Sequence, residues 1–172
     1  MNERPHPTAP ITFSFPFRAL PKANMHKVAM RGRGRFARRT IVNDLTGVLA
    51  KSEESFAIQA LARTDLRDRD LLPWTCPIDA EATFVYAVPD SWPPWKKEAA
   101  LAGRWLHVES PDLDNTEKFL WDALEGTFYV NDKQIQNKQV AKAYGCEDRI
   151  SVALTPRQQA VAPAKPAKKV LP

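Results

Sequence analysis

The stretch Ile78-Asp-Ala-Glu-Ala-Thr-Phe-Val-Tyr-Ala-Val88 alternates in a period of two, which places Ile78, Ala80, Ala82, Phe84, Tyr86 and Val88 on one side of an extended chain. It reads as a strand with one buried face. Further on, the period changes. Between Asn115 and Glu125, Thr116, Leu120 and Leu124 recur at i, i+4, with Phe119 and Ala123 beside them, and Gly126 stands where a helix would stop. A strand period and a helix period within one short chain read as an α/β (α+β) domain.

Outward from these two segments the pattern is less regular. Ile11 to Phe17 alternates apolar and small polar residues and is expected to be a first strand, with Pro21 and Asn24 as loop punctuation behind it. From Ile41 to Ala62, apolar residues at 41, 45, 48, 49, 56, 57, 60 and 61 predict one long helix or two short ones. Thr64 to Asp70 is dense in charge and is expected to be a loop closed by Pro73 and Pro77. Ser91-Trp-Pro-Pro-Trp-Lys-Lys97 leads into a short helical piece, Glu98 to Ala102; its tryptophans either stack on nucleic-acid bases or clamp this segment to the core. After the helix, Thr127–Val130 and Gln134–Val140 are expected to form a hairpin around Asn131-Asp132-Lys133.

At 172 residues and 44% apolar content, the chain has room for one domain with a real core. No run approaches the roughly 18 apolar residues of a membrane span. Met1 to Pro10 lacks the pattern of a secretory signal, so the cytoplasm is the expected compartment. Cys76 and Cys146 stand far apart without a CxxC or Cys/His partner, which excludes a disulfide framework and a zinc site and leaves two ordinary thiols. Residues 1–10 are expected to be flexible, 11–155 to form the domain, and 156–172, rich in Ala, Pro and Lys, to stay disordered.

The net charge of +5 is unevenly spread. Arg4, Arg18, Lys22, Lys27, Arg31, Arg33, Arg35, Arg38 and Arg39 face Glu3 alone at one end, and Arg157, Lys165, Lys168 and Lys169 meet no acid at the other, so the middle must be acidic. Basic ends suit a polyanion. In Arg31-Gly-Arg-Gly-Arg-Phe-Ala-Arg-Arg39, two glycines let the backbone approach a phosphate chain while guanidiniums fork onto it. We expect a DNA-contacting loop formed by Lys27, Arg31, Arg33, Arg35, Arg38 and Arg39; a solvated charge run is the alternative.

The acidic middle centres on Pro111-Asp112-Leu113-Asp114-Asn115. Most of its acids have an ordinary structural use: Asp114 and Glu117 as a capping box, Lys118 as a bridge between Asp114 and Asp122, Asn131-Asp132 as a turn. Asp112 has none. In an extended segment it shares a face with Asp114, and if a turn brings Asp132 alongside, three anions repel by up to about 4 kcal/mol per pair at 4 Å. A divalent cation removes that cost. Oxygen-only ligands suit Mg²⁺, which activates water and stabilises charge on a phosphodiester, and Lys118 adds a positive charge one helical turn away. His26 and His107 are rival bases without a motif around them.

Pro111-Asp-Leu-Asp-Asn-Thr-Glu-Lys118, Asp122-Ala-Leu-Glu-Gly126 and Tyr129-Val-Asn-Asp-Lys-Gln-Ile135, followed by Lys142 and Tyr144, resemble the RusA family of Holliday junction resolvases. The resemblance implies a mixed sheet packed against helices in a single small domain, and a homodimer that cuts four-way DNA by paired nicks with Mg²⁺, for which Mn²⁺ substitutes. By position it implies that Asp112, Asp114 and Asp132 bind the metal and that Lys118 joins them in catalysis; no small-molecule cofactor and no membrane are implied. A phage or prophage source follows from family habit. The chain departs from the pattern at Asn131, where many members carry an aspartate, and in the tryptophan-rich segment 91–105 and the basic tail. Other branched DNA, such as flaps and forks, and a non-catalytic DNA-binding role in a phage are the alternatives.

Overall fold

The computed structural model describes residues 7–20, 27–31, 38–42 and 46–158. Among these described residues, six strands and four α-helices follow one another in the order β1 (Ile11–Phe15), β2 (Lys27–Arg31), β3 (Arg38–Val42), α1 (Thr46–Arg63), α2 (Leu66–Arg69), β4 (Ile78–Ala87), α3 (Pro94–Leu101), α4 (Leu113–Leu124), β5 (Ile135–Gly145) and β6 (Arg149–Pro156). Four strands form one mixed sheet in the order β1-β6-β4-β5, and β2 with β3 makes a separate antiparallel ladder. The expected α/β class with a mixed sheet against helices is what the chain adopts. None of the helices is long and apolar enough to cross a membrane among the described residues.

Strand β4 behaves as its alternation demands, with Ile78, Ala80, Ala82, Phe84 and Tyr86 buried. It is central, antiparallel to β6 on one side and parallel to β5 on the other. Parallel strands cannot be joined by a tight turn. The link from β4 to β5 therefore runs through α3 and α4, and α4 lays Thr116, Phe119, Leu120, Ala123 and Leu124 into the core at helical spacing. Phe13, Phe15, Phe17, Phe56, Phe119 and Phe128 interlock there, with Phe15–Phe56 and Phe17–Phe56 centroids 5.1 Å apart and Phe13–Phe128 5.3 Å apart. Each fully buried phenyl contributes roughly 1.5–3 kcal/mol by leaving water.

Several boundaries correct the sequence reading. Ile41 and Val42 belong to β3, so the helix expected from residue 41 starts at Thr46. The basic run is not a plain loop: Arg31 pairs with Arg38 and Met30 with Arg39 across a ladder. The charged stretch after α1 holds the short helix α2. Helix α3 begins at Pro94, four residues before the expected piece, because proline suits a helix's first turn. The first strand ends at Phe15, and α4 starts at Leu113 instead of Asn115.

The largest correction concerns the expected hairpin, since residues 127–130 are not a strand. Phe128 and Tyr129 are consecutive and both fully buried, which a period of two cannot satisfy. Gly126, at φ +76°, turns the chain out of α4 in a conformation that favours glycine. Asp132–Gln134 then forms one 3-10 turn, and β5 leaves it to pair with β4. Residues 1–6 and the tail from 159 lie outside the described residues; β6 itself runs to Pro156, and Arg157 pairs with Asp79 at 2.8 Å.

Candidate active site

Residues 106–111 approach α4 as irregular chain whose carbonyls are tied down from β5. Lys142 Nζ donates to the carbonyl oxygens of Pro111 at 2.8 Å and Glu109 at 3.1 Å. Asp112 is then the N-cap of α4, with φ −66° and ψ 148°. The fully buried Thr116 fixes its backbone, since both Thr116 N and Oγ1 donate to the Asp112 carbonyl, at 3.1 and 2.8 Å. Tyr86 OH lies 3.3 Å from the same Thr116 Oγ1, which locks the helix start to β4.

An N-cap aspartate ordinarily accepts a hydrogen bond from the orphan N–H groups of the first turn. The Asp112 side chain makes no such bond. The shared strand face expected for Asp112 and Asp114 needs correction. Asp112 and Asp114 do not alternate along a strand; one caps the helix and the other lies in its first turn. The expected capping box from Asp114 to Glu117 is absent for the same reason. The helix dipole favours both carboxylates at this end.

Asp114, Asn115, Glu117, Lys118, Trp121 and Asp122 on α4, Asp132 on the 3-10 turn and Lys138 on β5 line one open recess of about 370 Å³. A water occupies about 30 Å³ of liquid, so there is room for a hydrated ion and a phosphate group. The structure thus brings together Asp114, Lys118 and Asp132. Asp112 stands at the cap, outside that lining. Lys138 Nζ meets Glu117 Oε1 at 2.7 Å across the recess. Below it, Tyr129 OH donates to the Trp121 carbonyl at 2.7 Å. Burial pushes the Tyr129 phenol strongly up, and the charges of Glu125, Asp132 and Asp122 push it further, so this group stays a neutral donor.

Asp132 owes its position to its neighbours. Asn131 Oδ1 accepts from Lys133 N at 3.2 Å, while Gln134 Oε1 accepts from Asn131 N at 2.9 Å. Gln134 Nε2 donates to the carbonyls of Trp74 and Cys76, at 2.9 and 2.8 Å, pinning the turn to the chain ahead of β4. Asn131 Nδ2 also donates to Glu125 Oε1 at 3.0 Å. An aspartate cannot make that bond, which gives the departure at this position a physical reason.

Among the described residues, no three Asp, Glu, His or Cys side chains stand close enough to hold a metal ion as they are. The donor chemistry nevertheless fits a hard cation: the recess offers carboxylate oxygens and no thiol or imidazole. Asp112, Asp114 and Asp132 are all exposed, so each carboxylate can turn without disturbing the core.

Of the expected DNA-binding residues, Lys27 and Arg31 lie on β2 and Arg38 and Arg39 on β3, while Arg33 and Arg35 fall outside the described residues, as does His26. His107 does not line the recess. It packs between the rings of Tyr86 and Tyr144, at 4.4 and 4.6 Å, where burial and then the Lys142 charge hold its pKa below the usual imidazole value. Cys76 is buried and its thiol is pushed up by burial, in keeping with an unreactive core residue.

Sequence reasoning assigned no site role to Glu117, Asp122 or Lys138. The first two were legible, since 114, 117, 118, 121 and 122 form one face at helical spacing. Lys138 was not, because its approach depends on β5 lying beside β4.

A recess lined by carboxylates and two lysines on a small α+β domain has donors suited to a hard cation and charges suited to a phosphate group. Residues 28–155 match the family described as endodeoxyribonuclease RusA, which is well over half of the chain, and the chain belongs to that family. A Bacillus subtilis (strain 168) protein described as uncharacterized protein YqaN is 37% identical over 59 residues, a span that covers 34% of this chain and 42% of that relative.

Proposed function

We propose that this chain is a Mg²⁺-dependent endodeoxyribonuclease that resolves four-way DNA junctions by paired nicks, Mn²⁺ substituting for Mg²⁺. The observation that carries the reading is that Asp114 and Lys118 from α4 and Asp132 from a separate turn line one recess in a RusA-family chain. Asp112, Asp114 and Asp132 would hold the ion. When bound, such an ion supplies a water of lowered pKa and offsets charge on the phosphodiester oxygens. Lys118 would then set its ammonium against the negative charge that grows on the phosphate or the leaving oxygen. Lys27, Arg31, Arg33, Arg35, Arg38 and Arg39 would grip flanking phosphates, a contribution that weakens steeply with salt. Nicks on two opposed strands need two sites, so we expect a two-fold homodimer acting inside the cell.

The test is a panel of labelled four-way, flap, fork, linear and single-stranded DNAs incubated with Mg²⁺, Mn²⁺ or EDTA. Symmetrical nicks confined to the four-way junction, lost in Asp112→Asn and Asp132→Asn while binding persists, support the proposal. Cutting that prefers flaps or forks moves the substrate class, and salt-sensitive binding without cutting in either ion leaves a DNA-binding protein.

A further inference from the structure

The segment between β4 and α4 carries an aromatic surface that the recess chemistry does not use. Trp92 is half-buried and packs edge-on against Tyr144 of β5, centroids 5.1 Å apart. It is the clamp. Trp95 is 62% exposed and meets Trp105 edge-on at 6.1 Å. Lys96 Nζ sits 3.4 Å over the Trp92 ring and 5.0 Å from that of Trp105, which joins the exposed pair to the clamp. Leu106 and Val108, 72% and 84% exposed, continue this surface along the chain toward Asp112.

We propose that Trp95 and Trp105 form a stacking platform for unpaired nucleobases of the DNA bound at the recess, an inference that rests on the DNA reading above. Every base offers a π-face, and an exposed indole braced edge-on by a second indole can take a base on its free face with little further ordering. The charges fit this occupant. Lys96 lies against two of the indoles, and the same segment carries Lys97 and Arg104, which among the described residues pair with the surface acids Asp90 at 3.9 Å and Glu98 at 3.4 Å; such weak pairs exchange readily for phosphates. A purely protein-binding surface is ordinarily depleted of lysine.

Position also fits. Helices α3 and α4 both pack on β5, with Tyr144 against the Trp92 clamp and Lys138 at the recess. The two lie six residues apart, roughly 20 Å along a strand. Seven residues from Trp105 to Asp112 reach at most about 25 Å. The platform therefore stands a few nucleotides from the cut, where bases unpaired at a branch would fall.

Full-length protein in EDTA, so that nothing is cut, is tested against a four-way junction, its linear duplex and oligothymidine. We expect Trp95→Ala and Trp105→Ala to weaken binding to oligothymidine and the junction roughly 5- to 100-fold while duplex affinity is kept, and Trp95→Phe to restore most of it. 5-Iodouracil at the branch should photo-cross-link to the peptide holding Trp95, and iodouracil within an arm should not. Unchanged affinities with cross-links elsewhere overturn the proposal, and so does a shift to a smaller species in sedimentation, which gives the surface to a second copy of the chain. Wild-type protein that binds oligothymidine through Trp95 but does not prefer the junction keeps the platform and removes only the junction reading.

Discussion

The two ends of β5 are built for different tasks from the same extended backbone. Near its start, Lys138 faces Glu117, Asp114 and Asp132 across open solvent, and those side chains are held chiefly through the backbone of α4 and the 3-10 turn. Toward its end, Tyr144 is wedged among His107 and Trp92, and Lys142 ties down the chain ahead of α4. At the acidic end Asp114 and Asp132 are exposed, while Glu117 is paired with Lys138. A substitution should consequently cost activity at one end and stability at the other.

The contrast breaks most easily at Asp132. Asp132→Asn should lower Mg²⁺-dependent nicking by about 10²–10³-fold or more, with a melting temperature unchanged or slightly raised because one of several like charges is gone. Steady-state nicking and calorimetry on one preparation check both halves, and a clear fall in melting temperature would show that the acidic end also bears structure. Asn131→Asp is next. It replaces the donor to Glu125 with a second carboxylate, and should cost about 1–3 kcal/mol at neutral pH, recovering as the acids are protonated. Urea titrations at two pH values measure that difference.

At the opposite end, Trp92→Ala should cost about 1–2 kcal/mol through the lost ring and cation contacts, with nicking retained at temperatures where the variant is folded. Thr116→Val should cost about 1 kcal/mol and, by loosening the cap at Asp112, reduce nicking as well; Thr116→Ser should keep both bonds. The smallest effect is the pH response of His107. Its folded pKa lies below the ordinary value near 6.5, so the unfolded chain binds the extra proton first. Stability from this group is complete above about 6.5 and declines as pH falls toward the folded value. His107→Phe should flatten that slope, and an unchanged slope would assign it to other groups.

The strand at residues 78–87 and the helix at 113–124 were legible because each has one buried face, and burial imposes a period on the sequence. The candidate site residues stood out for a different reason. Asp112, Asp114, Lys118 and Asp132 recur at spacings that resemble the RusA family, and no core requirement explains Asp112. The supposed hairpin misled because Thr127–Val130 has the composition of a strand, whereas packing buries Phe128 and Tyr129 side by side. In β3, five residues are too few for a period to outweigh the helical pattern behind them.

Local order along the chain thus determined the main elements and the class of fold, because propensity and amphipathic period act over a few residues. Only the tertiary structure decided that β5 lies parallel to β4, that Asp132 reaches the α4 recess from a 3-10 turn, and that Lys138 faces Glu117. Those placements depend on residues far apart in sequence being drawn together by burial, and nothing in their local spacing records which strand will be the neighbour.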